Sequence, residues 1–366
     1  MIEYRRVDKD LNYSRIGIWI YSNKFSVNMS ILILVALLIN VIAYGDNVET
    51  AGEGLCEVYF RDEMISRTLP LDKRLILKLN SATVSIDAAL YDLDSTPIAI
   101  ALIDAHKRNV KVRIVIENDN VGEDEIKLLK HAGIQVKDDG ENKGLMHHKF
   151  FIIDGRYVWT GSYNTTFNGA YRNNNNVLWI ESKKLAANFT QEFREMYILN
   201  QFGKSSDIEI QFPIIILEDG TEIRSYFSPE NDTITPLLNE IESAQKSIHF
   251  MAFSFTHDKL GNAMREKYRQ GVVVKGVFDE SGLNRYSEYQ IMERDGLSVT
   301  VDRTRGAMHH KVIVIDEKTV ITGSYNFSKS AEIRNTENLL IIKGNKKIAQ
   351  AYIDEFYRLQ FPFIRR

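Results

Sequence analysis

The chain has 366 residues, enough for two domains of ordinary size, and its 44% hydrophobic and 26% charged residues exclude disorder over most of its length. The single cysteine, Cys56, excludes an internal disulfide framework and a cysteine-rich zinc site. With 46 Lys and Arg against 49 Asp and Glu the formal charge is −3, so no overall basic field attracts nucleic acid, although a local basic groove stays open.

The longest apolar run extends from Ile31 to Tyr44. Its 14 residues fall short of the roughly 20 that a spanning helix needs. Basic residues precede the run and acidic residues follow it, which is typical of a signal peptide or of an anchor with a cytoplasmic N-terminus. We therefore predict a signal peptide or membrane anchor over residues 1–45 and an exported (periplasmic or secreted) or membrane-anchored protein. A buried core helix is the remaining alternative.

Beyond this segment, β-rich runs alternate with stretches whose apolar residues recur at helical spacing. The pattern is typical of a layered α/β sheet. The predicted strands and helices are, in chain order, strand 84–90, helix 97–108, strand 110–116, two strands around the turn Glu218–Thr221, strand 247–255, helix 260–271 and strand 272–280.

The chain also contains an internal repeat at an offset of 162 residues. Its best-matched segments are Met146–Asn164 and Met308–Asn326. This agreement indicates a duplicated domain. We predict a linker over 46–57, a first domain over 58–203, a linker over 204–222 and a second domain over 223–366.

Each copy carries the pattern H-x-K-x4-D-x6-G-S-x-N. If the motif begins a strand, the two-residue period places His147 and Lys149 on one face and His148 on the other. The serine and asparagine that follow add hydrogen-bonding groups suited to a phosphate. The candidate residues are His147, Lys149, Asp154, Ser162 and Asn164 in the first copy and His309, Lys311, Asp316, Ser324 and Asn326 in the second.

The doubled motif resembles that of the phospholipase D superfamily, and the resemblance covers residues 57–362. It implies two duplicated α/β sandwich domains related by a pseudo-twofold axis, with one active site between them and neither metal nor cofactor. It also implies that one imidazole attacks phosphorus while the other protonates the leaving oxygen. The lysines, asparagines and serines would then hold the phosphate oxygens. Asp154 and Asp316 complete the predicted catalytic set, although members of the family use them more structurally than chemically.

An acidic residue, Glu337, lies 11 residues beyond Asn326, where the family often has a carboxylate that orients a catalytic histidine. The first copy has Asn175 at the equivalent position. A carboxylate bonded to a ring N–H favours the imidazolium form, so we expect the two histidines to differ. The sequence alone does not show which of the two histidines Glu337 contacts. Our hypothesis, from the resemblance, is that His147 is the nucleophile and His309 the acid.

The resemblance predicts a phospholipase D that hydrolyses glycerophospholipids to phosphatidic acid and free alcohol. A phospholipid or membrane surface is the expected partner, and a monomer is expected because one chain carries both motifs. The alternatives are a metal-independent endonuclease with nucleic acid as partner, a cardiolipin-synthase-like phosphatidyl transferase, and a non-enzymatic scaffold.

Other polar residues near the motifs have ordinary interpretations as well. We expect His148 and His310 to serve packing or the surface rather than a metal. His249 is expected to be a hydrogen-bonded core histidine. The run Asn173–Asn176 is interpreted either as a phosphate ligand or as a turn that satisfies its own backbone.

Overall fold

The structure, a computed structural model, describes residues 56–61, 69–203 and 209–361. The predicted signal peptide or anchor over 1–45 lies outside the described residues. Among the described residues, no helix is both long and apolar enough to cross a membrane.

The first half forms a mixed sheet whose seven strands, among the described residues, have the order β1-β7-β6-β5-β2-β3-β4. Strands β2, β3 and β4 are parallel and the other neighbours are antiparallel. Its strands are β1 (Cys56–Phe60), β2 (Ser85–Leu90), β3 (Lys111–Ile116), β4 (Gln135–Asp138), β5 (Lys149–Ile153), β6 (Tyr157–Gly161) and β7 (Asn176–Glu181). Its α-helices are α1 (Leu71–Ser81), α2 (Thr96–Lys107), α3 (Asp124–His131), α4 (Phe167–Tyr171) and α5 (Lys183–Arg194).

The second half repeats this plan and, within the described residues, adds one edge strand, giving the order β12-β11-β10-β13-β14-β15-β9-β8. Its strands are β8 (Ile215–Ile216), β9 (Glu222–Ser228), β10 (Ser247–Ala252), β11 (Val273–Phe278), β12 (Ser298–Val301), β13 (Lys311–Ile315), β14 (Thr319–Gly323) and β15 (Glu337–Lys343). Its α-helices are α6 (Ile234–Ser243), α7 (Asp258–Arg269), α8 (Tyr289–Arg294), α9 (Lys329–Ile333) and α10 (Lys346–Gln360).

The duplicated α/β architecture is confirmed. The hairpin of β8 and β9 surrounds the predicted turn at residues 218–221. The domain boundaries stay a prediction, and β8 lies inside the predicted linker 204–222. The strand predicted over 247–255 is shorter than expected and ends at Ala252. Beyond its end, Phe253 packs against His309 and Phe255 packs in the core.

Both faces of each sheet are buried, as alternate residues of β5 illustrate. Phe150 and Ile152 pack into a core that both halves share, whereas Phe151 and Ile153 face the outer core of the first half. The shared core also contains Val312 and residues of α5 and α10. A sheet covered on both faces reads as a continuous apolar run, which explains the composition of these strands.

The register of the strands places the motif at the end of each sheet where the parallel strands finish. β5 runs antiparallel to β2 and pairs Lys149 with Leu90. The start of β5 therefore lies beside the carboxyl ends of β2 and β3. In the second half Lys311 pairs with Ala252 in the same way. The candidate catalytic histidines and lysines lie at these two ends of the sheets.

Candidate active site

The two halves exchange backbone hydrogen bonds just before each motif. The N–H of His147 donates to the Thr336 carbonyl at 2.9 Å, and the N–H of His309 donates to the Asn174 carbonyl at 2.9 Å. Glu337 follows Thr336 and Asn175 follows Asn174, so each half presents a polar side chain to the other half's histidine. The sequence alone does not show this crossing.

Glycine is needed where backbone segments of the two halves cross. A Cβ on Gly144 would lie 1.8 Å from the Arg334 carbonyl oxygen, and one on Gly306 would lie 2.2 Å from that of Arg172. Only a residue without a side chain permits this approach.

The two catalytic histidines have different partners at Nδ1. His147 Nδ1 lies 2.8 Å from Glu337 Oε2, whereas His309 Nδ1 lies 2.9 Å from the Ser162 carbonyl and 3.1 Å from Asn175 Oδ1. The contact that the sequence left open is thus between Glu337 and His147. Since Nδ1 is engaged in both rings, Nε2 is the nitrogen that remains for chemistry.

An aromatic ring packs edge-on against each histidine. Tyr91 lies 4.9 Å from His147 and Phe253 lies 4.7 Å from His309, measured between ring centroids. The same rings support the lysines, because Lys149 Nζ is 4.9 Å from the Tyr91 centroid and Lys311 Nζ is 4.8 Å from that of Phe253. Each lysine also donates to the carbonyl of its own motif histidine, at 2.6 Å and 2.8 Å respectively.

The charges of the site are buried and act on one another. Burial lowers the pKa of Lys149 to about 7, although Glu337 acts in the opposite direction. Burial and the charge of Lys149 hold the pKa of Lys311 well below its ordinary value. Burial, then the two lysines, also lower the pKa values of His147 and His309. An anion bound among these groups would relieve both the desolvation and the repulsion, so the site is suited to a phosphate.

The acidic partner is affected in the opposite sense. Burial raises the pKa of Glu337 to about 7, while Lys149 and a hydrogen bond from Ser324 oppose the rise. The side chain has no exposed surface. The role of Glu337 is therefore to orient His147 within the protein.

Asn164 and Asn326 stay predicted phosphate ligands, which would donate to a phosphate oxygen through Nδ2. Their Oδ1 atoms are buried and have no hydrogen-bond partner among the described residues. These oxygens are acceptors, so they do not bond to an ionised phosphate.

The structure gives Ser162 and Ser324, predicted to bind phosphate, partners within the protein. Both are fully buried, and their Oγ atoms accept the N–H groups of Asn176 and Asn338. Ser162 also donates to Asn175 Oδ1 at 2.9 Å. These hydroxyls position the partners of the catalytic histidines.

The contacts of Asp154 and Asp316, which complete the predicted catalytic set, agree with the structural use of these residues in the family. They follow the last residues of β5 and β13, at the end remote from the histidines. Asp154 accepts the N–H groups of Thr83, Val84 and Ser85. Burial alone would raise the pKa of Asp154, but these hydrogen bonds outweigh it and lower the pKa.

The second histidine of each pair is fully buried, in agreement with the packing interpretation. His148 lies between Glu192 Oε1 at 2.9 Å and Asn338 Nδ2 at 3.0 Å. His310 lies between Glu355 Oε1 at 2.9 Å and Asn176 Oδ1 at 2.9 Å. In each case the asparagine belongs to the other half.

Both interpretations of the asparagine run are corrected by these contacts. Asn175 and Asn176 are buried and bond to His309 and His310 of the second half, so they neither bind phosphate nor form a self-satisfied turn. His249 is a core histidine as expected, but its Nδ1 has no hydrogen-bond partner among the residues that the structure describes.

Two further carboxylates, to which the sequence analysis assigns no role, contact the motifs. Glu117 accepts the N–H of Met146 at 2.5 Å, and Asp279 accepts that of Met308 at 2.6 Å. They hold the backbone immediately before each catalytic histidine. The signal was available, because these two acidic residues match at the repeat offset.

Comparisons with known proteins agree with this geometry. A family model described as "Cardiolipin synthase, PLD-like domain" matches residues 75–197 and 237–360. A phospholipase D of Rickettsia prowazekii is 30% identical over 153 residues, which are 42% of this chain and 74% of that protein. A mitochondrial cardiolipin hydrolase of Chlamydomonas reinhardtii is 36% identical over 127 residues, which are 34% of this chain and 56% of that protein.

The fold has a solved counterpart as well. The crystal structure of a phosphatidylserine synthase of Haemophilus influenzae matches with a TM-score of 0.63 at 12% identity, covering 82% of this chain and 85% of that one. This likeness concerns the fold. The two family-model matches span well over half of the sequence and coincide with the two halves that supply the histidines. The chain therefore belongs to the phospholipase D superfamily, as a phosphodiesterase with two phospholipase D-like domains.

Proposed function

We propose that this protein hydrolyses the distal phosphodiester bond of a glycerophospholipid, without a metal, to phosphatidic acid and a free alcohol. The names of two relatives, phospholipase D and cardiolipin hydrolase, support the choice of a lipid. The observation that carries the mechanism is the unequal pairing of the two histidines, with a carboxylate at His147 and neutral oxygens at His309.

In the first step His147 Nε2 attacks phosphorus and the bond to the head-group oxygen breaks. His309 Nε2 gives its proton to that oxygen, so the alcohol leaves neutral. The phosphorylated imidazole of His147 is cationic while Nδ1 keeps its proton, and the Glu337 carboxylate stabilises that charge. His309 becomes neutral when it donates its proton, and a neutral oxygen partner makes the donation easier than a carboxylate would.

In the second step His309 Nε2 takes a proton from water, and the water oxygen attacks phosphorus. The P–N bond breaks, phosphatidic acid forms, and His147 is restored. Lys149 and Lys311, with Asn164 and Asn326, offset the negative charge that develops on the phosphate oxygens in both steps.

The test is product formation by the purified full-length chain in EDTA. Vesicles of mixed phospholipids and, separately, single- and double-stranded DNA and RNA are offered, with His147→Asn as control. Phosphatidic acid formed only by the intact protein supports the proposal. Cardiolipin in its place would indicate a phosphatidyl transferase. Cleavage of nucleic acid alone would indicate an endonuclease, and activity that EDTA abolishes would contradict metal independence.

A further inference from the structure

A cleft of about 580 Å³ opens in the second half. Ser254, Arg285 and Ser328 are among the residues that line it. Ser254 directly follows Phe253, whose ring packs against His309. The cleft therefore adjoins the side of the site from which the proposed general acid acts.

Two backbone contacts fix the cleft next to the catalytic groups. Phe327 donates its N–H to the Ser254 carbonyl at 3.2 Å, which places Ser254 beside the residue that follows Asn326. Gly282 lies so close to the Phe253 carbonyl that a Cβ there would be 1.7 Å from its oxygen. The loop that carries Arg285 thus passes directly over Phe253.

The charges around the cleft differ from those at the equivalent place in the first half. At three positions related by the repeat offset of 162 residues, the first half has carboxylates where the second has hydroxyl groups or a guanidinium, whereas at a fourth the first half has Thr96 and the second has Asp258. The pairs are Asp92 and Ser254, Asp94 and Thr256, and Glu123 and Arg285. The first-half carboxylates are close enough to interact, since burial and then the charges of Asp94 and Glu123 raise the pKa of Asp92 to about 6.

The cleft is lined by one arginine, Arg285. Arg285 forms no ion pair with any described residue, and its guanidinium lies 4.6 Å from the centroid of the Tyr286 ring. The lining also includes one exposed carboxylate, Asp258, which lies near Glu288, and Glu288 is paired with Arg265. Hydroxyl and amide groups supply most of the remaining polar lining.

We propose that this cleft binds a second phosphate on the leaving side of the scissile diester, with Arg285 as its charge partner. The proposal rests on the proposed function and specifies its substrate class, a glycerophospholipid whose head group bears a further phosphate. Serine, threonine and asparagine side chains of the cleft supply additional hydrogen bonds to its oxygens.

The charge difference also sets the direction in which the substrate binds. The head group leaves towards His309, so an anionic head group enters the cleft that contains Arg285. In the reversed orientation the same phosphate would meet Asp92, Asp94 and Glu123, and like charges would repel it.

The test compares phosphatidylglycerol with phosphatidylglycerol phosphate, which differ only in the terminal phosphate. Both are presented to the full-length chain at the same low mole fraction in micelles of a nonionic detergent, so that the surface charge stays small in both cases. We expect Arg285→Glu to lower kcat/KM for phosphatidylglycerol phosphate about tenfold or more while changing that for phosphatidylglycerol less than about threefold. Arg285→Lys should retain most of the preference, because the charge remains.

Lys318→Glu is the matched control, since it makes the same change in net charge at the turn beyond β13, remote from the histidines. It should leave the ratio of the two kcat/KM values unchanged. An equal loss of kcat/KM on both lipids in Arg285→Glu, or no loss, would contradict phosphate binding in the cleft. The activity of the wild type on phosphatidylglycerol would still support the proposed function. If the wild type cleaves neither lipid, the assigned substrate class fails, and the assay with mixed phospholipids decides the proposed function separately. An effect of Arg285→Glu confined to oligonucleotide cleavage would overturn the lipid assignment.

Discussion

His147 Nδ1 lies 2.8 Å from the Glu337 carboxylate, whereas its counterpart His309 lies 3.1 Å from the Asn175 amide oxygen. The two imidazoles occupy equivalent places in a duplicated fold, so this pair of partners is what distinguishes them chemically. A carboxylate favours the ring that becomes cationic in the reaction, and an amide favours the ring that gives up a proton.

Replacing the carboxylate tests the first part of this distinction. Glu337→Gln keeps a hydrogen-bonding oxygen near His147 but removes the charge that stabilises the phosphorylated ring. We expect kcat to fall about 100-fold, within the range typical of general acid–base groups, while the fold persists. Steady-state kinetics with circular dichroism as the folding control measures this. An unchanged kcat would show that Glu337 has no electrostatic role.

The reciprocal change tests the second part. Asn175→Asp places a carboxylate beside His309 Nδ1 and raises the pKa of that ring. Because the general acid must be protonated, the basic limb of the kcat/KM profile should move to higher pH by about one unit. The maximal rate should fall, since the proton is held more tightly. A profile identical to that of the wild type would assign the basic limb to another group.

Anion binding should depend on pH through the buried lysines. The pKa of Lys149 is lowered to about 7 by burial, so its charge is present below that pH and is lost as the pH rises through it. Sulfate keeps its own charge over this range. Its dissociation constant should therefore increase above about pH 7, by up to about tenfold per unit for each lysine that loses its proton. Titration calorimetry between pH 6 and 8.5 measures this, and a constant affinity would contradict the assigned cause.

Asp154 should matter for stability rather than for turnover. Asp154→Asn removes the charge that accepts three backbone N–H groups but keeps a residue type that tolerates the positive φ of 54° found there. We expect the free energy of unfolding to fall by about 1–2 kcal/mol at neutral pH, with kcat of the folded protein within about threefold of the wild type. Because the folded-state pKa is lowered, the wild type's advantage is present above the ordinary value of 3.8 and disappears as the pH falls through the folded-state value. A large loss of kcat without loss of stability would return Asp154 to the catalytic set.

Much of this architecture could be predicted from the sequence, because a repeat with a matching motif fixes both the duplication and the residues that converge. The two-residue period of a strand also separated His147 and Lys149 from His148 correctly. These are local patterns, and local geometry determines them.

The remaining features depend on contacts between the halves, which no local pattern contains. The backbone bond from His147 to Thr336 decides that Glu337 reaches His147. The same kind of crossing buries Asn175 and Asn176, which as an exposed run would have formed a turn. A hydroxyl after a glycine suits an anion and predicts that Ser162 binds phosphate, but the burial of Ser162 and its bond to Asn175 appear only in three dimensions.

The identity of the phosphorylated histidine tests the central claim most directly. Phosphatidyl-p-nitrophenol carries a leaving group that departs as an anion, so His309→Ala should still form the covalent intermediate but should hydrolyse it slowly. Rapid quenching under alkaline denaturing conditions and peptide mapping then locate the phosphoryl group. The account predicts phosphorylation of His147 in both the wild type and His309→Ala. Phosphorylation of His309 in the wild type, or turnover without any phosphohistidine, would contradict it.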